Sequence, residues 1–119
     1  MTKRDENGRD RPLVVVESPY AGDVAKNVRY ARACMRDSLL RGEYPFVMHL
    51  LYTQDGILDD DNPMERNLGI EAGLAWGRNA SKTVVYTDLG VSPGMELGIQ
   101  RAGEEGREIE YRKLASWVP

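Results

Sequence analysis

Leu13 to Val16 is an apolar run without alternation, the pattern of a strand buried on both faces. It ends in the turn-rich Glu17-Ser18-Pro19-Tyr20-Ala21-Gly22. From Asp23 the period becomes helical: Val24, Val28, Ala31, Met35 and Leu39 recur every three or four residues, with Lys26, Arg29, Arg32 and Arg36 between them. Asp23 is placed to cap this helix and Gly42 to end it. Tyr44 to Leu51, rich in aromatic and branched residues, predicts a second strand. The acidic stretch Gln54 to Asn62 predicts a loop, and Asn62-Pro63 opens a second helix with a capping side chain followed by proline. Met64, Leu68, Ala72, Ala75 and Trp76 form its expected buried stripe. Thr83 to Thr87 reads as a third strand and Asp88 to Val91 as a loop. Ser92-Pro93 repeats the cap-then-proline signature for a third helix running to about Glu105. Glu108 to Arg112 is a last short strand.

The order β-α-β-α-β-α-β places the chain in the α/β class, with a mainly parallel sheet, right-handed crossovers and helices on both faces. Residues 1–11 are highly charged and carry no apolar period, so they read as a disordered lead-in before one domain over residues 12–119. A length of 119 residues suits one domain, and 41% hydrophobic with 29% charged residues is ordinary globular composition. No apolar run approaches the roughly 20 residues a membrane helix needs, and the charged start lacks the apolar core of a secretory signal. A cytoplasmic setting is the expectation. One cysteine, Cys34, excludes an internal disulfide, and one histidine, His49, excludes a histidine-rich metal centre. The net charge of −3 argues against a broad nucleic-acid surface.

In open parallel sheets, ligands bind beyond the carboxyl ends of the strands. Three loops fall there: Glu17 to Gly22, Leu51 to Asn62, and Asp88 to Gly94. The segment Ser92-Pro93-Gly94-Met95-Glu96 joins a capping hydroxyl, a glycine that lets a ligand approach the backbone, and a carboxylate in a first helical turn. It reads either as an anion-binding turn or as a plain helix start with a dipole-matching charge. Asp59-Asp60-Asp61 is an acidic loop open to solvent or a set of oxygen ligands, although its spacing fits no EF-hand. Arg66 is a phosphate contact at a site rim or an ordinary surface arginine. Cys34 reads as buried filler, and His49, at the end of the second strand, as a core or supporting residue. Gly69 and Gly73, four apart inside a helix, point to close packing against another element or a partner subunit.

The strand leading to Ser18-Pro19-Tyr20-Ala21-Gly22, the segment Glu65-Arg66-Asn67-Leu68-Gly69-Ile70, and Ser92-Pro93-Gly94-Met95 before a helix together resemble the nucleoside 2-deoxyribosyltransferase-like superfamily. The likeness is closest to its small phage and bacterial members and spans roughly Leu13 to Leu114. It implies a flavodoxin- or Rossmann-like domain that works on N-glycosidic bonds of nucleosides or nucleoside 5′-monophosphates, with no cofactor and no metal. In such enzymes a glutamate on the helix after the Ser-x-Gly turn attacks C1′ of the sugar. By position the resemblance makes Glu96 the nucleophile and Tyr20 its orienting group. It makes Ser92 and Gly94 phosphate or sugar contacts, with Ser18, Gly22, Arg66, Asp88 and Met95 as further ligand-binding positions. Glu96 follows Gly94 by two residues where the superfamily's glutamate follows its turn glycine by three or four. Glu17, after the first strand, and Glu71, on the second helix, are the other carboxylates in reach of a site.

Two functions follow as expectations. One is an N-glycosidase or deoxyribosyltransferase; the other is a non-catalytic binder that sequesters or senses a nucleotide-like signal. The partner expected in both cases is a small nucleoside or nucleotide, not a nucleic-acid polymer or a membrane. A chain this short buries only about two-thirds of its unfolded surface, which favours a homo-oligomer, with Trp76, Gly69 and Gly73 at a helix contact.

Overall fold

A computed structural model describes residues 11–118. All but Arg11 of the expected lead-in lies outside the described residues. Among the described residues the elements run β1 (Leu13–Glu17), α1 (Val24–Leu40), β2 (Tyr44–Phe46), a 3-10 turn (Met48–Leu50), α2 (Pro63–Gly77), β3 (Lys82–Tyr86), α3 (Pro93–Glu104) and β4 (Glu108–Arg112). The strands form one parallel sheet in the order β2-β1-β3-β4. This is the order of a flavodoxin-like sheet, with its switch point between β1 and β3. No helix among the described residues is long and apolar enough to cross a membrane.

The alternation within β1 sets the two layers. Val14 and Val16 point to one face, where they pack with Val84 and Tyr86 against Tyr30, Ala31 and Cys34 of α1 and against Val47. Val15 and Glu17 point to the other face, toward α2 and α3: a side chain at Gly77 would meet Val15, and one at Gly98 would meet Glu17. Helices therefore cover both faces, as the element order implies.

Side-chain bonds fix the ends. The Asp23 carboxylate accepts from the Lys26 N–H and caps α1, Asn62 accepts from the Met64 and Glu65 N–H groups at α2, and Ser92 Oγ accepts from the Met95 N–H at α3. Gly42, just past α1, has φ +92°, a conformation glycine adopts without strain. On the α1 face, Arg112 makes a bidentate pair with buried Glu43, at 2.9 and 2.5 Å, and also bonds Tyr86 and Glu110. Burial pushes the Glu43 carboxyl up, but the bonds from Arg112 and Ser38 outweigh it and leave it below the usual carboxylate range.

Three expectations need correcting. The second strand stops at Phe46, and the chain then turns, so His49 sits on a 3-10 turn instead of ending a strand. The buried face of α1 is Asn27, Tyr30, Ala31, Cys34 and Ser38, one position round from the apolar stripe, while Val24 and Leu39 are exposed. Asn27 and Ser38 are buried because their polar groups are satisfied: Asn27 Nδ2 donates to the Tyr20 and Ala21 carbonyls, and Ser38 Oγ donates to Glu43. In α2 the buried residues are Gly69, Gly73 and Gly77, and the stripe expected inside faces out, with Met64 81%, Leu68 57% and Trp76 60% exposed.

Candidate functional site

The α2 glycines and the sheet enclose a cavity of about 250 Å³ on the α2/α3 face, reached from the carboxyl ends of β1 and β2. Glycines replace side chains on the inner faces of both covering helices, so side chains of other elements line the space between helix and sheet. On α2, Gly69 faces Leu58 and Tyr52, and Gly73 faces Met48. The close packing expected of these two glycines is met within the chain. On α3, Gly94 and Gly98 lie four residues apart on the cavity side.

Glu17, the last residue of β1, lines the cavity beside α3. Its carboxyl group lies against Gly98, in the space a side chain there would fill. Among the described residues it has no hydrogen-bond partner. Burial pushes its carboxyl up to about 8, and attraction from Arg107 offsets only part of that. The group is therefore mostly protonated at neutral pH. Arg107, at the entry to β4, is itself fixed by Thr83 Oγ1 at 3.0 Å, the Gly77 carbonyl at 2.8 Å and Glu105 at 2.6 Å.

Aromatic groups form a second wall. Tyr20 stacks on His49, with ring centroids 5.1 Å apart and planes 22° apart. The loop carrying Tyr20 is held by the Asn27 amide, and His49 hydrogen-bonds to the Ser18 backbone. Burial lowers the His49 imidazole to about 4, so it is neutral at physiological pH. Tyr52, Thr53 and Phe46 complete this side.

The mouth is charged. Arg66 pairs with Asp60 at 3.9 Å, and Glu65 accepts from the Asp59 N–H at 2.7 Å, which holds the acidic loop to the start of α2. No group of side chains suited to a metal ion is found among the described residues.

Tyr20, Arg66, Ser92 and Gly94 all line the cavity. The others are placed elsewhere. Glu96 is exposed in the first turn of α3 and is not among the lining residues, and Glu71 is exposed on α2. Met95 is buried, its Sδ accepting from the Ser92 N–H. Gly22 (φ +102°) borders a second, more open hollow beside the acidic loop. Ser18 is buried, and its Oγ has no hydrogen-bond partner among the described residues. Asp88 accepts from the Tyr30 hydroxyl at 2.5 Å and from the Leu114 N–H, and so ties the C-terminal segment to the α1 face. Burial pushes the Cys34 thiol up to about 12, in keeping with a packing role.

Sequence reasoning ranked Glu17 behind Glu96 and missed Arg107 and Gly98. A glycine in a helix interior, four residues after another glycine on the same face, was the available signal for Gly98. Arg107, a charged residue before a short strand, carried none.

No curated protein matches this sequence. A family described as a domain of unknown function, DUF7768, matches residues 12–112, from just before β1 to the last residue of β4. The match spans the whole sheet and every cavity-lining residue, and the chain belongs to that family.

Proposed function

We propose that the cavity binds a nucleoside or nucleoside 5′-monophosphate and that Glu17 is the carboxyl group acting at its N-glycosidic bond. The observation that carries this reading is a carboxyl group that has no hydrogen-bond partner among the described residues and that lines a cavity between an aromatic wall and a helix start. Tyr20, His49 and Tyr52 suit a flat base. The start of α3 at Ser92 to Gly94, with Arg66 at the mouth, suits a phosphate. The resemblance to nucleoside 2-deoxyribosyltransferases supports the same reading, with one change: the carboxyl group comes from β1, in the space beside Gly98, and not from Glu96.

The protonation state favours acid catalysis over direct attack. As the C1′–N bond breaks, its electron pair passes to the base nitrogen, which takes the Glu17 proton. Water then bonds to C1′ and returns a proton to the carboxylate, which restores the acid. A small-molecule partner, a cytoplasmic setting for the reduced Cys34, and a homo-oligomer joined through the outward Met64, Leu68 and Trp76 of α2 complete the proposal.

The test is base release from a panel of ribo- and deoxynucleosides and their 5′-monophosphates, measured beside binding. Glu17→Gln should keep affinity within a few-fold and lose roughly 10²–10⁴ in rate. Wild-type rate should fall as pH rises through about 8, where the acid loses its proton. A rate that rises through that pH would make Glu17 a nucleophile instead. Tight binding with no base release by the wild type would favour the sequestering protein, which the exposed position of Glu96 also suits. Absence of binding across the panel would overturn both. A single-species monomer mass by light scattering at micromolar concentration would remove the oligomer.

A further inference from the structure

Glycine is a poor residue for a helix interior, yet α3 carries one at 98, in a buried position and in ordinary helical conformation. No positive φ requires it. The constraint is steric: a Cβ at this position would fall on the Glu17 carboxyl group, overlapping Oε2 and Cδ. Gly103, on the same helix, has nothing within 4 Å of its missing Cβ, so α3 is not glycine-rich for one common reason.

We infer that Gly98 is a positioning residue for Glu17, its bare backbone forming the niche in which the carboxyl group is held at the cavity wall. The groups that share the cavity with that niche come from several elements. Arg107 approaches from the start of β4, its guanidinium already fixed by three bonds. The 3-10 turn presents His49, neutral at physiological pH, and the β1–α1 loop presents Tyr20. From the acidic loop and α2, Asp60, Glu65 and Arg66 line the same cavity toward its mouth, where Asp60 and Arg66 pair. With the niche filled, the carboxyl group has to move off the α3 backbone toward the open side of the cavity, where water ionises it at a lower pH.

The catalytic meaning of this inference rests on the role proposed above for Glu17, but its test needs no ligand. Carboxyl carbons are followed by ¹³C NMR through a pH titration, and the Glu17 resonance is assigned by its loss in Glu17→Gln. Wild type and Gly103→Ala should share a midpoint near 8, whereas Gly98→Ala should shift at least one unit lower. An unchanged midpoint in Gly98→Ala, or a wild-type midpoint in the ordinary carboxylate range, overturns the inference. If Gly98→Ala loses its cooperative thermal transition, the double variant Glu17→Ala/Gly98→Ala should regain it, because the overlapping group is gone. Failure of that rescue also overturns the niche. Base release is scored separately, so an inactive wild type with the expected titration would remove the catalytic role and leave the positioning role standing.

Discussion

Glu17 costs the fold stability in a pH-dependent way, and the sign follows from its environment. Its carboxyl is held at about 8 against an ordinary value of 4.5. Between these values the folded chain binds more protons than the unfolded chain, so stability falls as pH rises, and the full cost is in place above about 8. Glu17→Gln removes the ionisation while keeping the shape. By urea denaturation the variant should match wild type at pH 4.5 and exceed it by roughly 1–3 kcal/mol at pH 9. Parallel stability curves would place the carboxyl group in water. At this scale the sequence was partly legible. In the turn after the first strand Tyr20 stood out, as did Ser92 before α3, and both line the cavity. The inward direction of Glu17 did not, because an unbroken run of valines hides which residues share a face. Glu96 drew notice through its place after a Ser-x-Gly turn, but a helix rotates about 100° per residue, and the offset of two puts it on the solvent side.

The second helix is the element whose pattern most misleads. Its apolar residues recur with helical spacing, which normally marks the face toward the core. Here the face toward the sheet is Gly69, Gly73 and Gly77, and Met48, Leu58, Tyr52 and Val15 take up the room that α2 side chains would otherwise fill. A hydrophobic pattern counts side chains, so a face made by their absence is invisible to it. The outward Trp76 finds part of its cover in Phe46, with rings 6.3 Å apart. Gly73 is the tightest of the three positions, since a methyl group there would overlap Met48 Sδ and lie 2.9 Å from its Cγ. Gly73→Ala should therefore cost about 1–3 kcal/mol through overpacking, despite the better helix propensity of alanine. Pairing it with Met48→Ala should recover part of that loss, measured as coupling in a double-mutant cycle. Additive losses would mean that the helix simply shifts outward.

At the scale of the whole molecule, the sheet divides two tasks between its faces. The α2/α3 face holds the cavity, with glycines on the inner sides of both helices; the α1 face holds the apolar core and the Arg112–Glu43 pair. The alternation of strands and helices made the layers and the parallel sheet legible, because crossovers permit few other arrangements. The part played by the C-terminal segment was not legible, since residues 113–118 have no periodic pattern. They are nevertheless built into the α1 face: both Asp88 carboxylate oxygens accept from the Leu114 N–H, at 3.0 and 3.1 Å, and Trp117 meets Tyr30 edge-on at 5.0 Å. Leu114 and Trp117 pack against the buried cluster of Val14, Val16, Tyr30 and Cys34. This segment lies beyond residue 112, where the family match ends. Trp117→Ala should lower stability by about 2–4 kcal/mol, the cost of removing a large, mostly covered aromatic group, softened because its indole N–H has no partner to lose. The cavity lies across the sheet and shares no lining residue with this segment. The same variant, assayed well below its melting temperature, should therefore keep the Glu17 titration near 8 and nucleotide affinity within a few-fold. Loss of stability together with a displaced Glu17 midpoint would show that the two faces are coupled through β1, where Val16 of the core and Glu17 of the cavity are neighbours in the chain.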